Sequence, residues 1–519
     1  MSRPEEVDRA IQSNLARFRD ARVLTVRPGY RFHKGKITAE RAAVALAGPE
    51  TDRSAIPARV GGFPVEVREA TPAELLRHRD PAAYAAAAGR VPPEHRPAWF
   101  PLERDAATGR PVPAPLSPAR PTVPYTPAPG VPLSPVTGPM SLTCCVSPDA
   151  GWSVLAGFLA AVQSELTVGM YDFTSAHVLS AVEAALSGAG KSLSLVLDDP
   201  PRDPSADQTD EATKQALSQA LGSRLAFAWA AEALDPNVSS AIFPSAYHIK
   251  VAVRDQTALW LSSGNWDNSN QPVIDPWGDP TGAATIAAKS DRDWHVVVEH
   301  PGLSQTFAAY LRHDLAVAKA LQAPAAAARQ ALPPALLSSG LAPGPRTAPR
   351  QYFHPLAIDN EVVTAQPVLT PDLGAGNYAA NLLALIGSAK EKLYIQTQYV
   401  HPPAPGEDPG FAALIAAVQK QMQAGLDVRV ILSEYETAPY LEQLQEAGWD
   451  MSAVRIQQGV HNKGFVVDSA VVAVGSQNWS ADGVLRNRDA TLVIGHAGAA
   501  QYFESVFLAD WADLATPAS

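Results

Sequence analysis

The last three-quarters of the chain alternates between two spacings of apolar residues. Helix-period positions over Trp152–Gln163 precede a compact apolar run, Leu166–Met170, and a second helical stretch, Ala176–Leu186, leads to the run Leu193–Leu197. The order then repeats: helical Tyr378–Ile386, strand Lys392–Gln396, helical Phe411–Met422, strand Val428–Leu432. Strands alternating with helices of about ten residues predict α/β units on a mixed sheet, and the same order twice predicts an internal duplication. Upstream, an amphipathic helix, the short strand-like stretches Val23–Val26 and Val65–Val67, a Gly61-Gly62 turn and a helical stretch at Ala73–His78 predict a small α/β or β-rich module.

Proline sets the boundaries. Fifteen of the 47 prolines fall between Pro92 and Pro139, and an Ala/Pro-rich stretch covers residues 323–350. A residue with fixed φ and no N–H favours extended linker there. The expected organisation is residues 1–90 as the N-terminal module, 91–140 as linker, 141–322 as the first repeat, 323–350 as linker and 351–519 as the second repeat. The chain carries 41 Lys and Arg against 52 Asp and Glu, a net charge of −11, which weighs against a general binder of long nucleic-acid duplexes. Adjacent Cys144 and Cys145 are the whole cysteine complement, so a disulfide framework or a CxxC zinc site is excluded. With no transmembrane run and no secretory signal legible, the expectation is a cytoplasmic protein.

Chemistry enters at the end of each repeat. The first reads His248, Lys250 and Asp255, then six residues, then Ser262-Ser263-Gly264-Asn265. The second reads His461, Lys463 and Asp468, then six residues, then Gly475-Ser476-Gln477-Asn478. Five residue types recur at identical offsets, 213 positions apart. Residues i and i+2 of a strand share a side, so each His stands with its Lys, and a turn at the Asp returns the chain to bring Ser and Asn beside them. Two such patches facing each other would flank a pocket with two imidazoles and line it with donors. That suits a phosphodiester: one imidazole attacks phosphorus and the other protonates the leaving oxygen. No metal-ligand spacing is present, and no cofactor is expected.

The paired motif resembles the duplicated HxKx4Dx6GSxN signature of the phospholipase D superfamily, over roughly residues 141–518. The resemblance implies two phospholipase D-like α/β repeats about a pseudo-twofold, with one active site at their interface and a phosphohistidine intermediate. By position, His248 matches the nucleophile and His461 the general acid, an order that the near-symmetry of the copies leaves open. Lys250, Lys463, Asn265 and Asn478 match phosphate-holding positions, with Ser263 and Ser476 in support. Asp255 and Asp468 match a structural acid. Asp293 and Asp489, each closing an Asp/Asn-Arg-Asp triplet before an apolar strand, match an acid that orients a catalytic histidine. Trp266 and Trp479, directly after the motif asparagines, are expected at the repeat interface or lining the substrate channel. Ser262 departs from the usual Gly, and the first copy carries 17 additional residues within 266–292, either a lid or a tolerated surface loop. Three functions follow: hydrolysis or transphosphatidylation of a glycerophospholipid, with transient membrane-surface contact; a nuclease or phosphodiesterase acting on nucleic acid; or an inactive binding protein on the same fold. Oligomeric state stays open.

Overall fold

The chain, in a computed structural model that describes residues 4–33, 36–70, 103–105, 111–112, 126–198, 206–233, 239–243, 246–322, 351–371, 377–403, 408–436 and 438–518, divides into two units, Met1–Ala119 and Arg120–Ser519. Most of the Pro-rich stretch, residues 323–350 and the stretch at Ala73–His78 lie outside the described residues. In the first unit, helices Pro4–Gln12 and Leu15–Asp20 precede β1 (Thr25–His33), β2 (Lys36–Ala47), β3 (Arg59–Val60), β4 (Phe63–Glu69), β5 (Glu103–Asp105) and β6 (Pro111–Val112). Their sheet order is β3-β4-β2-β1-β5-β6. Val7 and Ile11, one helical turn apart, are buried with Phe18, Val26, Ala43 and Ala45.

The second unit carries the motifs. Its first half contains β7 (Val136–Ser147), β8 (Glu165–Met170), β9 (Ser192–Leu197), β10 (Leu225–Trp229), a separate pair β11 (Ala231–Ala233) and β12 (Ser239–Ala241), β13 (Lys250–Arg254), β14 (Ala258–Ser262) and β15 (Asp293–Glu299). The second half contains β16 (Leu356–Thr370), β17 (Lys392–Thr397), β18 (Asp427–Ser433), β19 (Val454–Gln457), β20 (Lys463–Val467), β21 (Val471–Gly475), β22 (Asp489–Gly495) and β23 (Thr516–Pro517). The predicted α/β alternation is present in both halves, with element ends within a few residues of those expected. β7 begins at Val136, inside the stretch read as linker to residue 140. Its Pro139 pairs with Val362 next to a register shift in β16, a place where a strand tolerates proline.

Fifteen of these strands form one sheet, β10-β9-β8-β13-β14-β15-β7-β16-β22-β21-β20-β17-β18-β19-β23. Outward from the antiparallel β7–β16 pair, both halves run in the same order, and the trios β8-β9-β10 and β17-β18-β19 are parallel. Parallel neighbours need crossovers, which helices Ala176–Ala185 and Pro409–Gln423 supply between β8 and β9 and between β17 and β18. Two longer helices, Pro301–Gln322 and Ala497–Asp513, follow β15 and β22. Their Phe307, Leu311, Phe503 and Phe507 join Val251, Trp294 and Val474 in a core that spans both halves. β13 is covered on both faces: Val251 and Val253 point to this central core and Ala252 to the outer core of the first half.

Candidate active site

The motif hairpins place their ends by the same device. Asp255 and Gln256 turn β13 into β14, and Asp468 and Ser469 turn β20 into β21; all four have φ between 51° and 54°. Positive φ at both central positions is the type I′ turn that matches strand twist, and Asp is among the residues that tolerate it. Each Asp side chain also caps the start of a neighbouring strand. Asp255 accepts from the amides of Gln163, Ser164 and Glu165 at 2.7–3.0 Å, and Asp468 from those of Lys390, Glu391 and Lys392 at 2.9 Å. Burial works against both carboxylates, but these amides more than offset it and hold both below the ordinary carboxylate range.

At the other end of the hairpins the two halves exchange partners. His248 Nδ1 lies 2.8 Å from Asp489 Oδ1, and His461 Nδ1 lies 3.0 Å from Asp293 Oδ1. Each imidazole therefore comes from one half and its carboxylate from the other. An ionised carboxylate only accepts, so Nδ1 carries the proton and Nε2 the lone pair. Lys250 Nζ donates to His248 O at 2.5 Å, and Lys463 Nζ makes the same bond to His461 O. Both lysines are buried. Burial, with Lys250 and Lys463 adding to it, pushes His248 down to about 4 against the pull of Asp489. Burial and Lys463 push His461 to about 3 against Asp293. Burial lowers Lys463 to about 8 and takes Lys250 well below its usual range. Burial opposes the Asp293 carboxylate, yet His461 and Lys463 hold it at about 2. Both imidazoles are thus held in the neutral form near pH 7.

Asn265 and Asn478 are each 7% exposed; their Oδ1 atoms make no hydrogen bond within the protein, and Asn265 Nδ2 donates to Asp267 Oδ2 at a long 3.4 Å, a weak bond that a better acceptor could replace. The serines do something other than expected. Ser263 Oγ donates to Asp293 Oδ1 at 2.7 Å and accepts from Trp294 N, while Ser476 Oγ donates to Asp489 Oδ1 at 2.6 Å and accepts from Ala490 N. Both hydroxyls are fully buried and committed to the dyad carboxylates, not turned toward a substrate.

The tryptophans also require correction. Trp266 and Trp479 have no exposed surface and lie in separate outer cores, one per half, not at the interface or along a channel. Trp266 meets Phe173 and Trp260; Trp479 meets Phe411 and Phe465 and donates to Tyr378 OH. Their backbones bridge to Phe173 and Val400, just past β8 and β17, pinning each motif end to a carboxyl end of the parallel trio.

Ser262 is accommodated by its cross-strand neighbour. Ser262 Oγ hydrogen-bonds His295 Nδ1 at 2.7 Å and accepts from Gly264 N, and His295 Nε2 meets Ser147 Oγ. In the second half Thr491 Oγ1 fills the space where a Cβ on Gly475 would stand. Gly264 admits no side chain, since a Cβ there would lie 2.7 Å from the Asp293 carboxyl. The additional residues of the first half contain helix Pro280–Ala287 and a base tied to the motif: Asn265 N donates to Asn270 Oδ1 at 2.7 Å, and Asn270 Nδ2 to Asp291. Further out, Trp277 is 44% exposed and stacks on His354.

Sequence reasoning passed over four residues here. Tyr171 meets His248 edge-on at 4.9 Å, with Lys250 Nζ 5.0 Å from its ring centre. Tyr399 interacts with Asn478 and Ser480. Asp172 acts on Lys250, and Asp267 on Lys463. Tyr171, Asp172 and Tyr399 follow directly on β8 and β17, the carboxyl strand ends where α/β sheets gather their sites, and that placement was the usable signal. Among the described residues, no group of three or more His, Cys, Asp or Glu is arranged to hold a metal ion, and no helix is long and apolar enough to cross a membrane.

Residues 382–511, which include His461, Lys463, Asn478 and Asp489, match the family described as cardiolipin synthase, PLD-like domain. A cardiolipin synthase of Clostridium perfringens is 26% identical over 174 residues, 31% of this chain and 34% of that protein. The chain thus spans about a third of the length of this curated relative. Among solved structures, the phosphatidylserine synthase of Haemophilus influenzae is 13% identical with a TM-score of 0.47, covering 72% of this chain and 88% of that one. Nuc of Salmonella typhimurium, a phospholipase D family member, is 20% identical with a TM-score of 0.24, covering 30% of this chain and 99% of that one. The family match thus marks residues 382–511, a quarter of the chain and the part that holds the second motif, as similar to a phospholipase D-like domain.

Proposed function

We propose that the chain is a metal-independent phosphodiesterase that works through a phosphohistidine, and that it hydrolyses a glycerophospholipid or transfers its phosphatidyl group to an alcohol. The two halves act as repeats about a pseudo-twofold that share one site. The observation that carries this reading is the crossed pair of His–Asp dyads, each imidazole tied at Nδ1 and holding its lone pair on Nε2. His248 Nε2 attacks phosphorus. The bond to the leaving oxygen breaks as His461 Nε2–H gives that oxygen its proton. His461, now neutral, takes a proton from water or an alcohol, whose oxygen attacks phosphorus and frees His248. Lys250, Lys463 and the amides of Asn265 and Asn478 hold the non-bridging oxygens. Because both imidazoles are neutral in the free protein, the acid proton is taken up with the substrate, whose negative charge offsets that of the lysines.

Phospholipid is favoured by the partial match to a cardiolipin synthase. A polyanionic strand is disfavoured by the net charge of −11 and by Asp267 and Asp291 beside Lys463. The test is purified protein with EDTA, assayed in parallel on phosphatidylcholine and single-stranded DNA. Choline release is expected. DNA cleavage alone would assign a nuclease, and loss of turnover restored by a divalent metal would overturn the mechanism.

A further inference from the structure

Two arginines, Arg292 and Arg488, stand immediately before the dyad carboxylates, and neither has a part in the chemistry above. Both are fully buried. Arg292, from the first half, makes a bidentate pair with Asp510 on helix Ala497–Asp513 of the second half, Nε–Oδ2 2.8 Å and Nη2–Oδ1 2.9 Å. Its Nη1 binds Asp149 and the Ser147 carbonyl of its own half. Arg488, from the second half, makes the same pair with Asp314 on helix Pro301–Gln322 of the first, 2.8 and 2.7 Å, and its Nη1 reaches the Thr370 carbonyl of its own half. The main chains cross as well. Arg292 N donates to Gly459 O and Arg292 O accepts from His461 N at 3.1 Å, while Arg488 N donates to Ala246 O, two residues before His248.

From this geometry we infer that Arg292 and Arg488 are positioning residues, each clamping the opposite half so that the next residue, Asp293 or Asp489, meets the opposite half's histidine in register. The inference rests on the proposed use of the dyads. A guanidinium suits the task because its planar fork holds a carboxylate in one orientation and reaches backbone carbonyls with its remaining donors. A lysine keeps the charge but not the fork, so substitution by lysine separates positioning from charge.

The test is the state of the two imidazoles, which can be read without turnover. In full-length protein labelled with 15N at histidine, the ring-nitrogen shifts of His248 and His461 report tautomer and hydrogen bonding, assigned by their loss in His248→Asn and His461→Asn. Arg292→Lys is expected to move the His461 nitrogens toward those of a free, tautomer-averaged imidazole and leave His248 in place; Arg488→Lys is expected to do the converse. Turnover in each should fall at least tenfold in kcat with KM within about twofold. Unchanged ring nitrogens in both lysine variants, or equal movement of both histidines in either one, would overturn the inference. Should a lysine variant fail to fold, the paired Arg488→Met, Asp314→Leu variant removes charge and counter-charge together, a change that buried ion pairs often tolerate. Its His248 nitrogens must still shift, and a native His248 signal in that protein counts against the clamp. Absence of wild-type turnover with the two shifts as expected would refute the proposed reaction and leave the clamp standing.

Discussion

In the proposed mechanism His248 attacks phosphorus and His461 moves the proton in both steps, so removing either should stop turnover. His248→Ala and His461→Ala are each expected to lower turnover by about a thousandfold or more, and a variant retaining a tenth of wild-type activity would void the assignment. Their depressed pKa values also fix a sign for stability. The folded protein holds these imidazoles neutral down to about 4 and about 3, against an ordinary 6.5. The unfolded chain therefore binds more protons between those values, and the stability they contribute is complete above about 6.5 and lost as pH falls below it. The melting temperature of the wild type should drop across that window. A double His→Ala variant should show a flatter curve, and parallel curves would contradict the burial argument. Ser263 offers a finer test. Its hydroxyl is committed to Asp293, and a hydrogen bond to a charged group contributes about 1.5–3 kcal/mol, so Ser263→Ala should cut kcat roughly tenfold or more with little change in KM. A rise in KM alone would return the serine to the substrate.

At the scale of elements, the hairpin turn is the unit that aims the chemistry. Asp255→Asn keeps a residue that tolerates positive φ but sets an amide N–H₂ against backbone donors. It should cost about 1–3 kcal/mol in chemical denaturation while the remaining folded enzyme keeps its rate, and Asp468→Asn should match it. The β13–β14 and β20–β21 hairpins were legible because a His-x-Lys run, an acidic turn and a returning apolar strand are all local. The exchange of dyad partners was not, since it depends on residues 241 and 168 positions apart. The serines and tryptophans were misread for a related reason. Motif spacing puts a side chain near a site, but the facing segment decides which way it turns: β15 and β22 for the serines, and the residues just past β8 and β17 for the tryptophans. The helices Pro301–Gln322 and Ala497–Asp513 were missed altogether, their alanine-rich faces giving a weak contrast between core and solvent sides.

For the whole molecule, the duplicated order of elements was readable from the sequence and the joining of the halves was not. The periodicities that marked each α/β unit do not encode the β7–β16 pairing that merges them into one sheet. The proposed covalent step makes a prediction of its own. A phosphatidyl group held on His248 could be claimed by any hydroxyl that enters the leaving-group position, so added primary alcohol should divert product to the phosphatidyl alcohol at nearly constant total turnover. Trapping in mid-reaction should find the phosphatidyl group on His248; on His461 it would exchange the two roles. Inversion at a chiral phosphorus with no trapped species would mean direct attack by water.

The exchange of carboxylates across the halves bears on how a chain built of two like halves can change. A duplication ordinarily leaves a spare: one copy keeps the old duty while the other drifts. Here each half holds the aspartate that the other's histidine pairs with, so under the proposed mechanism loss of Asp489 would disable His248 and loss of Asp293 would disable His461. On that reading neither half can be demoted to scaffold while its twin continues alone, and a change in one half's aspartate is felt first at the other half's histidine.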